Sequence, residues 1–316
     1  MTLPPALEPV SHLIELNKPL SNYTYMKVGG IADYLAKAHT LQELTDLIAA
    51  AKTAKIRYLL LGGGSNTIFS DVGFRGLIIL NQTNSMKIND HIYLTCDSGC
   101  PTNSVVNFST KAGLSGMENF LGIPGSIGGA IYNNSHYLNQ LIGDMLDQAL
   151  ILKEDGRKVW VDKDYFEFKY DYSVLHQTKE IVLESRFKLK LSDQESTAKL
   201  AKEALLRRKH SQPLQFPSSG CIFQNFKEEA ALYPLIPPGI TSAGALIDHA
   251  GLKGLSVGGA RVSDIHANFI INTREAKAKD ILDLSDNIID VIRDRYGITL
   301  KREVFMLDEY GERMNT

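Results

Sequence analysis

Two glycine-rich stretches hold the residue types best suited to binding chemistry: Gly62-Gly63-Gly64-Ser65-Asn66 and Gly122-Ile123-Pro124-Gly125-Ser126-Ile127-Gly128-Gly129. Glycine has no Cβ and takes positive φ readily, so successive backbone N–H groups can cup an anion at close range. Ser65 and Asn66 add side-chain donors to the first stretch. In the second, Pro124 stiffens the approach and a helix is predicted to begin among the glycines, where negative charge is favoured. Each stretch alone is also compatible with a structural turn. Two anion cradles, each following an apolar run, suit a dinucleotide with two phosphates. Neither is a Gly-x-Gly-x-x-Gly fingerprint, and no Gly-Lys-Ser/Thr makes a P-loop.

The elements that must position these loops can be read from the pattern. The first loop comes after an apolar strand over Ile56–Leu61, at the end of a strand where open sheets bind ligands. The segments after the loop, Thr67–Phe69 and then Leu77–Leu80, read as strand rather than helix, which disfavours a Rossmann fold. Thr40-Leu41-Gln42-Glu43 is a capping box opening a helix with Leu41, Leu44, Ile48 and Ala51 on one face. Strand, tight turn and strand are predicted over Thr24–Leu35, giving a βαβ-like opening. A further strand is predicted over His91–Thr95 and a helix over Thr102–Ala112, stopped by Gly113. Three more strands are predicted over Ala149–Lys153, Lys158–Val161 and Ile181–Leu191. Gln194–His210 is predicted as a largely polar helix bridging two domains, with a boundary near 205–215. Helices over Ala243–His249 and Asp280–Tyr296, and a last strand over Ile298–Leu307, complete the chain. Residues 1–18 read as an extension lying on the surface.

Composition narrows the function classes. A chain of 316 residues with 44% hydrophobic and 22% charged residues is an ordinary globular protein of two or three subdomains. A formal charge of −2 argues against nucleic acid as a partner. No apolar run reaches the roughly 18 residues of a membrane span. Met1-Thr2-Leu3-Pro4-Pro5 lacks the features of a secretion signal, so a cytoplasmic location is expected. Cys96, Cys100 and Cys221 are an odd number without metal-like spacing, which suits a reducing compartment and no metal site. Cys96 and Cys100 read as buried small hydrophobes.

With these segments placed, the sequence resembles the UDP-N-acetylenolpyruvoylglucosamine reductases (MurB), flavoenzymes of cell-wall precursor synthesis within the vanillyl-alcohol-oxidase-like FAD-binding fold. The resemblance spans residues 18–307. It is carried by Thr24–Gly30, Gly62–Asn66, Gly122–Ala130, Gln212-Pro213, Pro217–Asn225, Ala243–Asp248, Gly251–Gly254 and Val262–Asn272, in that order. The absence of a long inserted loop resembles the shorter subtype. The implied fold class is α+β, a two-subdomain FAD-binding module of the PCMH/VAO type followed by a MurB C-terminal α+β substrate domain. The corresponding division is an extension over 1–19, an FAD-binding domain over 20–190, a linking helix over 191–210 and a substrate domain over 211–316.

The resemblance also implies a reaction and its residues. FAD would be held by Gly62, Gly63, Gly64, Ser65, Asn66, Gly125, Ser126, Gly128 and Gly129, without a covalent tether because Ser65 stands where related covalent flavoproteins carry His or Cys. NADPH would reduce the flavin, and the enolpyruvyl ether of UDP-N-acetylglucosamine would then take a hydride and a proton to become UDP-N-acetylmuramate. By motif position the proton donor falls at Cys221, beside Gly220. A thiol with a reference pKa near 8.5 is mostly protonated at neutral pH and yields its proton readily. Glu303, in Lys301-Arg302-Glu303-Val304, falls where a glutamate helps stabilise the enol-like intermediate. Read without the resemblance, Cys221 is a small buried thiol and Glu303 an exposed carboxylate whose ion pair with Lys301 or Arg302 is worth little.

Two positions depart from the pattern. Asp171, in Phe168-Lys169-Tyr170-Asp171-Tyr172-Ser173, stands where the family has an arginine that polarises the substrate carboxylate. A charge pair at 4 Å is worth roughly 4 kcal/mol at an effective dielectric near 20, so the exchange of sign matters. Lys169, Arg208, Lys209 and Arg261 are candidate replacement cations. His136, in Asn134-Ser135-His136-Tyr137, stands where a glycine is usual; it either crowds the flavin side or points outward from a loop. The reading is a cytoplasmic, monomeric FAD- and NADPH-dependent reductase acting on a sugar nucleotide. A diverged flavoprotein with another acceptor, and a catalytically silent flavin- or nucleotide-binding protein, are the alternatives that Asp171 leaves open.

Overall fold

A computed structural model describes residues 3–138, 140–227 and 229–314; the two residues at each end, which the N-terminal and C-terminal assignments include, lie outside it. The chain forms two compact units. The first comprises the described residues of Met1–Leu16, Tyr34–Gly63 and Leu77–Arg208, and the second those of Asn17–Asp33, Gly64–Gly76 and Lys209–Thr316.

Within the first unit, helix α1 (Leu41–Thr53) starts as its sequence dictates. Glu43 N donates to Thr40 Oγ1 at 3.1 Å and Thr40 N to Glu43 Oε2 at 3.3 Å, closing the capping box. Leu44, Leu47, Ile48 and Ala51 are buried on one face, each contributing about 1.5–3 kcal/mol if fully removed from water, less for the alanine. That face packs in one core with Leu7 and Val10 of a 3-10 helix, Pro5–Leu13. Residues 1–18 are therefore not a simple surface extension: Leu7 is fully buried, and its segment was illegible because a Pro-containing 3-10 turn has no 3.6-residue period. Strands Ile14–Pro19, Ile31–Ala38, Phe74–Asn81 and Tyr58–Leu61 lie in that order in one sheet, with Tyr58–Leu61 parallel to Phe74–Asn81.

A second, antiparallel sheet in this unit orders Lys158–Asp162, Leu146–Leu152, Ile181–Lys188, Tyr93–Asp97 and Met86–Asn89. Against it lies a core that includes Val105 and Val106 of α2 (Thr102–Lys111), and Ile127, Ala130 and Ile131 of α3 (Ile127–Tyr132). Cys96 and Cys100 belong to that core, 1% and 0% exposed. A hydrogen bond with Cys100, and secondarily burial, push the Cys96 thiol well above its ordinary pKa, so it behaves as a small hydrophobe. A single turn, α4 (Leu175–Thr178), and the long α5 (Gln194–Ser211) complete the helices of this region; α5 buries Thr197, Ala201, Ala204 and Arg208.

In the second unit an antiparallel sheet orders Ser218–Cys221, Phe269–Asn272, Ala260–Val262 and Ser256–Val257. Its core includes α6 (Ala243–His249) and α7 (Ala278–Tyr296), with Ile281, Leu284, Ile288 and Ile292 buried at helical spacing. Asp71 accepts from the amides of Ala278 and Lys279 at 2.8 and 3.0 Å and so caps α7. Gly297 at φ +76 stops it. The last strand is shorter than predicted, Phe305–Leu307 rather than 298–307, and pairs in parallel with Thr67–Phe69. The strand predicted before the Gly29-Gly30 pair is a turn instead, and extended structure begins at Ile31.

Candidate active site

In the first unit the two glycine loops touch. A Cβ on Gly63 would stand 2.6 Å from Gly125 Cα, and one on Gly62 would stand 2.1 Å from Ser126 Oγ. Side chains are excluded here because backbone meets backbone. Gly125 takes φ +126, and Ser126 caps α3 by accepting from the amide of Gly129 at 3.4 Å. Gly128 is fixed by donating its amide to Ser98 O at 2.7 Å. Among the described residues, the amides of Gly63, Gly125 and Ser126 donate to no backbone carbonyl. Bare backbone with spare N–H groups from two loops fits the diphosphate of a dinucleotide such as FAD. Along the chain the first loop continues as Gly64, Ser65 and Asn66, which belong to the second unit. There a Cβ on Gly64 would stand 2.1 Å from Tyr23 O.

In the second unit Cys221 ends the strand Ser218–Cys221. Ser218 pairs with Ile271 and Cys221 with Phe269, so the register shifts between them, at Gly220 with φ +81. Beyond the thiol the backbone is clamped by Asn268. Its carbonyl accepts from Ile222 N at 2.8 Å, its Oδ1 from Phe223 N at 3.0 Å, and its Nδ2 donates to Phe223 O at 2.8 Å. The chain then meets the C-terminal segment: Phe223 bridges Arg302, and Glu303 N donates to Ile222 O at 2.8 Å. Cys221 and Glu303, some eighty residues apart in sequence, are thus neighbours across paired backbones. Asn66 joins them, its Nδ2 reaching Glu303 O at 3.4 Å and its carbonyl accepting from Phe305 N at 3.0 Å.

The cations flanking Glu303 are committed elsewhere. Arg302, largely buried, binds Ser285 Oγ at 3.0 Å and Asp286, while Lys301 lies 3.6 Å from Glu229. Sequence reasoning missed Asn268, because an asparagine ahead of an apolar strand carries no signature of the clamp it makes. It also missed that His266 Nδ1 accepts from the amide of Asn268 at 3.2 Å. Burial, and secondarily the charge of Lys253, lower the His266 pKa, which keeps that acceptor unprotonated.

Asp171 belongs to the first unit, whereas Cys221 and Glu303 belong to the second. Its carboxylate neither stands alone nor faces outward: Oδ1 lies 3.3 Å from His136 Nδ1, and the Asp171 side chain is 7% exposed. The two departures from the family pattern are therefore partners. Of the candidate cations, Arg208 is buried over the Tyr137 ring at 5.1 Å and Lys169 lies over the Tyr172 ring at 5.5 Å.

Comparison with known proteins decides the ancestry. Residues 212–307 match the family model for the UDP-N-acetylenolpyruvoylglucosamine reductase C-terminal domain, and residues 32–162 match an FAD binding domain. The UDP-N-acetylenolpyruvoylglucosamine reductase of Caldanaerobacter subterraneus subsp. tengcongensis is 34% identical over 294 residues, covering 93% of each chain. That of Bacillus subtilis is 35% identical, covering 91% of this chain and 92% of its own. The chain belongs to the UDP-N-acetylenolpyruvoylglucosamine reductase family. The crystal structure of UDP-N-acetylenolpyruvylglucosamine reductase (MurB) from Thermus caldophilus aligns with a TM-score of 0.76 at 32% identity, over 93% of this chain and 98% of that one. The MurB fold expected from the motifs is the fold observed, α+β with an FAD-binding module followed by a MurB C-terminal domain.

Proposed function

We propose that the chain is the FAD-dependent reductase that converts UDP-N-acetylglucosamine enolpyruvate to UDP-N-acetylmuramate with NADPH. The observation that carries this reading is the convergence of Cys221 and Glu303 on paired backbones, fixed by Asn268, in a chain whose other unit holds two touching glycine loops. Similarity along nearly the whole length to named reductases supports it over a retuned acceptor or a silent binder.

Gly62, Gly63, Gly64, Ser65, Asn66, Gly125, Ser126, Gly128 and Gly129 hold the cofactor, with the amides of Gly63, Gly125 and Ser126 available to the diphosphate. The chemistry that bound FAD supplies is hydride relay from NADPH to the enolpyruvyl double bond. Cys221 delivers the proton to the neighbouring carbon, and its thiolate is reprotonated from solvent; hydride and proton together saturate the bond. Glu303, next to it, stabilises the enol-like state between the two additions. Asn268 holds Cys221 in place without touching substrate. Residues 20–190 serve the cofactor and 211–316 the substrate, with 191–210 linking them.

The reaction belongs to peptidoglycan synthesis and cell-wall biogenesis, and through the wall to cell shape and the cell cycle. We place the enzyme in the cytoplasm as a monomer acting on a small sugar nucleotide, with no nucleic acid or membrane partner. Among the described residues, no helix is long and apolar enough to cross a membrane. The test is stoichiometry: purified enzyme should form one UDP-N-acetylmuramate per NADPH oxidised, and NADPH oxidation that does not respond to the enolpyruvyl substrate refutes the assignment.

A further inference from the structure

The cluster around His136 and Asp171 has no part in the chemistry assigned above, yet it is built as a ligand site. The Asp171 carboxylate is more than nine-tenths buried, with Oδ1 at 3.3 Å from His136 Nδ1. Its other oxygen, Oδ2, is buried and has no hydrogen-bond partner among the described residues. An unmet buried acceptor costs about 1–3 kcal/mol, more when charged. Asp171 also sits at φ +50, uncommon for a residue with a side chain. Neither feature serves stability, and such features gather where a ligand is handled.

The surroundings fix the pair firmly. Asn134 Nδ2 donates to Lys169 O at 3.0 Å, Asn134 Oδ1 accepts from Gly143 N at 3.1 Å, and Ser173 Oγ donates to Tyr132 O at 2.7 Å. The Tyr170 ring packs on the imidazole with centroids 4.8 Å apart. These bonds tie the 168–173 loop to the end of α3, the helix whose first turn carries the second glycine loop. Six residues of helix separate the two, about 9 Å of rise.

With Nδ1 engaged by Asp171, the ring presents Nε2 in one fixed direction. The other charged groups here are the Arg208 guanidinium over the adjacent Tyr137 ring and Lys169 on the same loop as Asp171. Three basic groups surround one acid, so the cluster suits an anion. Asp171 itself repels a carboxylate, Arg208 is planted on Tyr137, and Lys169 is exposed. We propose that His136, oriented by Asp171, is a specificity-determining residue: its Nε2 edge, as imidazolium, takes the carboxylate of the enolpyruvyl group. Asp171 is the positioning residue that aims it. This rests on the function proposed above.

The experiment uses the FAD-loaded full chain and compares wild type with His136→Ala, His136→Gln and Asp171→Asn, checking retained flavin and melting temperature first. KM for UDP-N-acetylglucosamine enolpyruvate should rise about ten- to a hundredfold in the His136 variants, the range of a lost charged hydrogen bond, and by less in Asp171→Asn. UDP-N-acetylglucosamine, which lacks the acid, should bind wild type and variants alike, and NADPH should bleach the flavin at a rate within about twofold of wild type. The assignment is overturned if the His136 variants keep the wild-type KM, or if they lose affinity for both compounds equally. A wild type that the enolpyruvyl compound fails to reoxidise overturns the function itself; a reoxidised wild type with indifferent His136 variants overturns this assignment alone.

Discussion

Cys221 and Glu303 carry the chemistry through quite different claims on the fold. The thiol is placed by a register shift at Gly220 and by the three hydrogen bonds of Asn268, whereas the carboxylate is placed by a single backbone pairing to Ile222. Removing the proton donor should cost the range typical of general acid catalysis: Cys221→Ala is expected to slow reoxidation of reduced enzyme by substrate about 10²- to 10⁴-fold, leaving NADPH reduction intact. Cys221→Ser keeps a donor of similar size and should lose less; stopped-flow reoxidation distinguishes them. Asn268→Ala should reproduce part of the Cys221→Ala loss without touching substrate, because the backbone beyond the thiol is then free to move. At this scale the sequence was legible only through ordered motifs. A lone cysteine and a lone glutamate look the same whether structural or catalytic, and the Asp171–His136 pair, separated by 35 positions, was visible as two unrelated departures.

Among elements, the glycine loops and the capped helices followed from local chemistry alone. Thr40 and Glu43 close their box, Gly113, Gly251 and Gly297 take positive φ after their helices, and α7 buries its predicted face. Less legible were elements set by tertiary contact: the 3-10 segment that buries Leu7, and the C-terminal segment that narrows to a three-residue strand. Contact between the loops predicts that Gly63→Ala will weaken FAD retention about ten- to a hundredfold, from an overpacking cost of about 1–3 kcal/mol. Flavin absorbance after desalting reads this directly, and full retention would show that the loops do not bear on the cofactor. The five-stranded sheet carries a weakness of its own. Glu184 and Asp97 are cross-strand partners, and burial raises both carboxyl pKa values. A raised carboxyl pKa means the ionised form burdens the native state, so stability is lost as pH rises through the unfolded and then the folded value. Glu184→Gln should therefore raise Tm at pH 7 by about 1–3 °C, with the gap closing near pH 4.

For the molecule as a whole, the two units interleave along the chain. Residues 17–33 and 64–76 pack with the C-terminal unit, because Thr67–Phe69 pairs with Phe305–Leu307 and Asp71 caps α7. Pairings between segments so distant in sequence leave no periodic trace, which is why a contiguous division was the natural reading. Acid sensitivity joins stability to function in the C-terminal unit. The lowered pKa of His266 means that its neutral form is favoured in the native state. That contribution is complete above the unfolded value near 6.5 and declines as pH falls below it. Protonation also removes the acceptor that holds the Asn268 amide, so turnover and Tm should fall together between about pH 6.5 and 5, and His266→Gln should flatten the fall in Tm. The central claim, that this chain passes a hydride from NADPH through FAD to an enolpyruvyl sugar nucleotide, is tested most directly by anaerobic titration of the flavin band. NADPH should bleach it, and one equivalent of UDP-N-acetylglucosamine enolpyruvate should restore it; a band that stays bleached in excess substrate would contradict the account.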